Sequence, residues 1–496
     1  MFRLAFCISV LVGCGSASAP SPATPTRPVV TGSPQPAKPP PEGQSEGQID
    51  AAAMFTRWLD AFNASDAAGL AAFAKHLAPE LAKDYPNAAD ELGFREDTGG
   101  FDVKKTEDAT PKKFAAILKE RGDEQYGRVV LELDASNRVR RFDLNGVPTP
   151  AEYKPARLSE ADAIGALRAE LDALVASDRF SGAVLIAKHG KPIFAQAYGM
   201  ADRDKQIANT LDTRFRIGSM DKMFTATAIL QLAQGKKLSL DDTVGKHLPD
   251  YPNKDVASKV KIHHLLTHTG GTGDIFGPDY AAKRLELRTL EDYVKLYGTR
   301  ELLHEPGERR RYSNYGYVLL GVIIEKVTRK SYYDHVGASV FKPARMTSSS
   351  SPFEDKPMAG RSIAYTKQLG DKRLAAWTDA KDTLPIRATS AGGGDSTVGD
   401  LLKFANALTA NKLLDKKHGE LLTARKTGEP AEGYAYGFAT SEEDGVRCFG
   451  HGGGANGMNG DLRICDSGYT IAVLANLDPP AAGRVLRFIK ARLPKP

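Results

Sequence analysis

Phe215-Arg-Ile-Gly-Ser-Met-Asp-Lys222 runs directly into Met223-Phe-Thr-Ala-Thr-Ala-Ile-Leu-Gln-Leu232, an almost unbroken apolar stretch that stops at Gly235. This predicts a buried helix with Ser219 on its first turn and Lys222 three residues further on. Residues at i and i+3 share a helical face, so hydroxyl and amine stand side by side. The helix dipole, a neighbouring ammonium and partial burial all favour alkoxide character at such a serine. The spacing alone says little, because Ser258-Lys-Val-Lys261 repeats it. Ser258, however, lies in the polar stretch Asn253 to Lys261, where no comparable helix is expected.

Tyr-x-Asn occurs at Tyr85, Tyr251 and Tyr312. The first two have proline in the middle and read as turns. Tyr312-Ser-Asn314 follows Arg309-Arg-Arg311 and leads into the apolar stretch Tyr315 to Val327, so it holds a phenol rigidly at a helix start. A phenol near two cations can lose its proton and act as a base. A third element, His451-Gly-Gly453, reads as part of a C-terminal strand that is expected beside the serine.

Taken in order, these elements resemble the serine β-lactamase and penicillin-binding-protein superfamily, and their flanks resemble its class C-like, β-lactamase-related branch. The supporting residues are Phe215 to Lys222, Leu240-Asp-Asp242, His264-Leu-Leu-Thr-His-Thr-Gly-Gly271, Tyr312-Ser-Asn-Tyr-Gly-Tyr317, Ala391-Gly-Gly393 and Gly450-His-Gly-Gly453. The resemblance implies acyl transfer through a covalent Ser219 intermediate, without a cofactor. Lys222 and Tyr312 would share acceptance of the serine proton and its delivery to the leaving group. Asn314 would orient the substrate amide and Lys222. With the His451 and Gly453 strand alongside, the oxyanion would sit between the backbone amides of Ser219 and Gly454, where one donor is typically worth ~3 kcal/mol. β-Lactam-processing members often carry Lys-Thr-Gly or His-Thr-Gly at the strand motif, and here the middle residue is Gly452. That shifts the expectation towards an esterase, an amidase or a D-alanyl peptidase of the same branch. The competing reading is a catalytically idle cell-envelope protein that binds peptidoglycan or β-lactams.

Other patterns mislead. Gly43-Gln-Ser-Glu-Gly47 has the spacing of a nucleophile elbow but no strand before it. Gly452 to Gly457 has the spacing of a dinucleotide loop but leads into a strand. His451-Gly-Gly-Gly454 looks like a lipase oxyanion loop but has no nucleophile elbow after it. His264 and His268 have zinc-ligand spacing, yet Leu265 stands where a metalloprotease carries glutamate, so packing and capping are expected and no metal site is predicted.

The rest of the chain frames this unit. Its 496 residues carry 67 Lys and Arg against 61 Asp and Glu, a balance too even and too dispersed for a nucleic-acid partner. Met1-Phe-Arg3 and the apolar Leu4 to Val12 read as a signal peptide over 1–13. Leu11-Val-Gly-Cys14 resembles a lipobox, which implies a lipid on Cys14 and an exported periplasmic or cell-envelope lipoprotein. Cleavage after Ala19 is the alternative. Residues 14–47, with nine prolines between Pro20 and Pro41, read as an extended tether. Residues 48–147 predict a small α+β accessory domain, with helices at Ala51 to Phe62 and Asp66 to Lys83 and strands at Lys113 to Glu120, Tyr126 to Leu133 and Val139 to Leu144. In outline it is similar to NTF2-like domains. A linker at 148–157 precedes the α/β unit at 158–496. Strands at both ends of that unit are expected to form one antiparallel sheet with a helical region between them. A small-molecule or peptide substrate is the expected partner, together with a membrane through the lipid anchor. Cys448 and Cys465 flank a loop at equal distance from its centre, which permits a disulfide or leaves two free thiols in a half-buried sheet.

Overall fold

The computed structural model describes residues 50–369, 372–383 and 385–495. The expected signal peptide, Cys14 and the tether lie outside them. The described residues form two compact units that divide between Lys154 and Pro155.

In the first unit, helices α1 (Ala51–Ala64), α2 (Ala67–Ala74) and α3 (Ala88–Thr98) precede four strands, β1 (Phe101–Thr110), β2 (Lys113–Glu120), β3 (Tyr126–Leu133) and β4 (Val139–Val147). The sheet is antiparallel in sequence order. Phe55, Trp58 and Phe62 of α1 pack with Phe73, Phe101 and Phe142 into one buried aromatic core. Two expectations change here. The helix expected over Asp66 to Lys83 ends at Ala74, and Pro79 starts a separate turn of helix, because proline has no N–H to continue a ladder. β1 and α3 were not expected. β1 is an edge strand, mostly exposed, whose charged sequence shows no apolar alternation.

The second unit opens with α4 (Glu160–Ala176), β5 (Gly182–Lys188) and β6 (Lys191–Tyr198), continues through α5 (Asp221–Gln234) and α6 (Asn314–Thr328), and ends with six strands and a helix. These are β7 (Thr427–Gly428), β8 (Gly433–Tyr434), β9 (Ala439–Glu443), β10 (Val446–Ala455), β11 (Met458–Cys465), β12 (Tyr469–Ala475) and α7 (Ala481–Lys490). They make one eight-stranded sheet in the order β7-β8-β9-β10-β11-β12-β5-β6. All its ladders are antiparallel. The sheet is thus assembled from both ends of the unit.

β5 shows why its sequence is apolar throughout. Successive side chains of a strand point to opposite faces. Ala183, Leu185 and Ala187 join a core with Met223 and Phe224 of α5 and Val318 to Ile324 of α6. Val184 and Ile186 join a second core with Leu167 and Leu171 of α4 and Val485 and Ile489 of α7. α6 is buried from Asn314 to Ile324, so it is apolar around its whole circumference. This central position fixes what its N-terminus presents.

Candidate active site

Ser219 lies on a 3-10 turn, Gly218–Met220, that precedes α5, and not within the helix's own first turn. Gly218 takes φ +52, a left-handed conformation suited to glycine, and a Cβ there would stand 3.0 Å from the Gly454 nitrogen. The turn is tied to a second loop: the Gly394 amide donates to Asp221 Oδ2 at 2.6 Å. Burial pushes the Asp221 carboxyl up.

Lys222 is fully buried. Its Nζ donates to Asn314 Oδ1 at 2.8 Å and to the Ala391 carbonyl at 2.5 Å, and lies 3.1 Å from Ser219 Oγ. The Asn314 amide is oriented by Asp274, whose two carboxylate oxygens accept from Nδ2 at 3.0 and 3.2 Å. Asn314 Oδ1 and the Ala391 carbonyl can only accept, so they occupy two of the three tetrahedral positions on Nζ as N–H donors. The third position faces Ser219. As an ammonium the lysine donates there, and as an amine it offers its lone pair to the serine proton. Burial pulls the ammonium down to about 7, against the opposing pull of Asp274 and Asp221.

Tyr312 stands beside this pair, its ring centre 4.7 Å from Lys222 Nζ. The residue is 36% exposed, yet desolvation among its close-packed neighbours raises the phenol above its usual range, aided by Tyr434 and opposed by a hydrogen bond with Ser219. The direction is opposite to the one expected from the nearby cations alone. Desolvation opposes the pull of Arg310 and is the larger of the two.

The strand motif meets the serine turn as expected. A Cβ at Gly453 would fall 1.9 Å from the Ile217 carbonyl oxygen and 3.0 Å from the Ser219 nitrogen, so only glycine lets β10 approach. The β10–β11 register shows where Gly454 points. Cys448 and Cys465 are paired with Cα atoms 4.0 Å apart, the narrow spacing of a non-hydrogen-bonded pair. Counting in twos from Cys448, Gly452 and Gly454 also turn their amides away from β11. They face the side where pairing with β9 ends, at Gly450. The Gly454 amide thus opens towards the serine turn. At the other end of the same two strands, Cys448 and Cys465 are joined by a disulfide.

His451 takes a different place from the one expected. Its side chain is buried, with Nε2 3.0 Å from the Tyr434 hydroxyl and Nδ1 donating to the Gly452 carbonyl, which leaves neither nitrogen for a substrate. Burial and the nearby Lys222 pull its imidazole down to about 3, so it is neutral. His264 Nδ1 accepts from the Lys261 amide at 3.2 Å, whereas His268 Nδ1 accepts from the Ser313 amide at 3.1 Å, so the two histidines face different partners. The second Ser-x-x-Lys is not part of the site. It lies partly on a short polar helix, Lys254–Lys259, unlike the apolar helix that follows Ser219. Ser258 Oγ donates back to the Lys254 carbonyl at 2.7 Å, and Lys261 Nζ lies 3.4 Å from Asp241.

Sequence reasoning missed Asp274 and Tyr434 and gave His268 only a packing role. Asp274 ends Gly270-Gly-Thr-Gly-Asp274, directly after a quoted signature, and that adjacency was the one available signal. Tyr434 carried no signal from spacing.

A serine and a buried lysine at the start of a central helix, wedged between an antiparallel sheet and a helical region, define a mixed α/β fold of the active-site-serine type. Residues 167–493 match the Beta-lactamase family model, and the chain belongs to that family, within the β-lactamase and penicillin-binding-protein-like superfamily of serine hydrolases. It is 30% identical over 338 residues to Protein flp of Staphylococcus aureus strain MRSA252, a match covering 65% of this chain and 66% of that relative, so just under two thirds of the relative's length is spanned. Among solved structures, a penicillin binding protein from Bacillus halodurans superposes with a TM-score of 0.59 at 31% identity, covering 65% of this chain and 99% of that one. A D-stereospecific amidohydrolase from Streptomyces sp. gives a TM-score of 0.56 at 29% identity, with 66% and 98% covered.

Proposed function

We propose that the chain is a serine hydrolase that cleaves an ester, an amide or a D-amino-acid peptide through an acyl-Ser219 intermediate. The observation that carries this reading is the Lys222 amine, held by two acceptor-only partners so that its third position faces Ser219 Oγ at 3.1 Å. Ser219 Oγ attacks the substrate carbonyl and its proton passes to Lys222. The oxyanion forms between the amides of Ser219 and Gly454. Tyr312, still protonated, donates to the departing oxygen or nitrogen and is recharged from Lys222. Water then cleaves the acyl-enzyme by the same transfers in reverse, with its proton taken through the Lys222–Tyr312 pair.

The strand motif narrows the substrate. Gly452 supplies no hydroxyl and the neutral His451 supplies no cation, so the strand offers neither group for a substrate carboxylate. This favours neutral esters and amides over β-lactams. The name of the Streptomyces neighbour supports including D-configured amides in the test panel.

A fluorophosphonate probe followed by peptide mapping is expected to label the Ser219 peptide. No label at full occupancy would leave the idle binding protein as the better reading. Rates on a nitrophenyl ester, a D-alanyl amide and a chromogenic cephalosporin, measured side by side, are expected to fall in that order. For localisation we propose an exported lipoprotein anchored at Cys14, which Cys14→Ala is expected to release from the membrane fraction.

A further inference from the structure

A run of hydrogen bonds passes behind the serine and joins separate segments of the chain. The Ser313 amide donates to His268 Nδ1 at 3.1 Å, His268 Nε2 lies 2.9 Å from the Tyr434 hydroxyl, that hydroxyl lies 3.0 Å from His451 Nε2, and His451 Nδ1 meets the Gly452 carbonyl. Both ends are backbone groups of fixed polarity: an amide only donates and a carbonyl only accepts. With both imidazoles neutral, every proton between them is placed. His268 Nδ1 is bare, so Nε2 carries hydrogen and donates to Tyr434. The Tyr434 proton goes to His451 Nε2, and His451 carries its own hydrogen on Nδ1. The bare Nδ1 requires His268 to be neutral, and with His451 neutral as well the run points one way.

The surroundings reinforce this. His268, Tyr434 and His451 are 1%, 2% and 5% exposed, so water is not at hand to repair a mismatched pair. His268 is packed by the rings of Tyr312, Tyr317 and Tyr434, with centres at 4.2, 5.1 and 4.8 Å. The charges acting on the two imidazoles are cations: Lys222 from α5, Arg310 from the segment before α6 and Arg463 from β11. A proton added to either histidine would meet those cations, and on His268 Nδ1 it would also face the Ser313 amide donor.

We propose that His268, Tyr434 and His451 are positioning residues that hold Tyr312 and the Gly454 amide in register. Ser313, at one end of the run, is bonded in chain to Tyr312. Gly452, at the other, lies two residues before Gly454 on the strand that abuts the serine turn. The proton donor and the oxyanion site stand on elements far apart in sequence, and the relay joins them through side chains that do not touch the reacting atoms. This rests on the reading of Ser219 as the nucleophile.

Two measurements on the full chain test it. In long-range proton–nitrogen spectra of histidine-labelled protein, assigned with His268→Gln and His451→Gln, His268 is expected as the neutral Nε2–H form and His451 as the neutral Nδ1–H form, unchanged from pH 8 to pH 5. The opposite tautomer at either residue, or titration near the ordinary histidine value, overturns the relay. Tyr434→Phe keeps the ring and removes the one hydroxyl that serves both imidazoles. Its kcat on a nitrophenyl ester is expected to fall tenfold to a hundredfold or thereabouts, with KM within about threefold and fluorophosphonate labelling slowed to match. Unchanged kcat, or a change confined to KM, overturns the positioning role. If Tyr434→Phe does not fold, the wild-type tautomers decide. Absence of label on wild-type Ser219 would instead overturn the nucleophile assignment, whereas wrong tautomers in a protein that labels normally overturn the relay alone.

Discussion

The two Ser-x-x-Lys tetrads of this chain share a pattern and differ in every physical respect that matters. At Ser219 the tetrad enters a buried helix, its lysine is desolvated and its hydroxyl faces an amine that two acceptors hold in place. At Ser258 the serine bonds to its own helix backbone and the lysine lies near an exposed aspartate. On the proposed mechanism, reactivity would come from burial and from where the lysine's other hydrogens go. Spacing alone does not supply it.

The largest effect expected from breaking this contrast is on turnover. Ser219→Ala should lower ester hydrolysis by roughly a thousandfold or more and abolish fluorophosphonate labelling, while Ser258→Ala leaves both unchanged. The lysines should divide the same way. Lys222→Met is expected to slow single-turnover acylation by about a thousandfold, and Lys261→Met not at all. Thermal melts of Lys222→Met should fall modestly, because the substitution leaves the Asn314 Oδ1 and Ala391 carbonyl acceptors without their donor. A smaller, graded effect is expected with pH. Burial lowers Lys222 to about 7, so the amine needed as base is scarce below that value. The ratio kcat/KM should rise about tenfold per unit up to pH ~7 and level off above it. A flat profile from pH 5 to 8 would show that another group takes the serine proton. The smallest effect is expected from Asp274→Asn. The Asp274 charge stabilises the ammonium, so its removal should move the midpoint to lower pH, by up to about one unit.

How much was legible in the sequence follows from the range of the contacts involved. Lys222 and Asn314 stand on two buried apolar helices and Ser219 on the turn that enters the first, and unbroken apolar runs are readable from a single sequence. The sheet built from both ends was readable because β5, β10, β11 and β12 are buried strands bounded by turn residues. Gly453 and Gly454 were readable only through a family resemblance, since glycine spacing alone equally fits loops of other kinds. What was not legible is tertiary. Tyr434 meets His268 across 166 residues, and neither flank hints at the other. The direction in which the Tyr312 phenol shifts depends on desolvation by residues distant in sequence, which counting charges along the chain does not include. In the first unit, β1 was hidden because an exposed edge strand has no apolar face to declare it.

The ladder between β5 and β12 sets a schedule for synthesis. Gly182 pairs with Ala475 and Lys188 with Tyr469, so a strand made early must wait for nearly three hundred further residues before its neighbour exists. Contacts of such long separation form slowly, and until then one edge of β5 is open to any other extended segment. The nascent chain therefore carries its aggregation hazard at the start of the second unit, well before the serine turn and the strand it packs against can meet. Truncation anywhere before residue 469 would leave that hazard permanent.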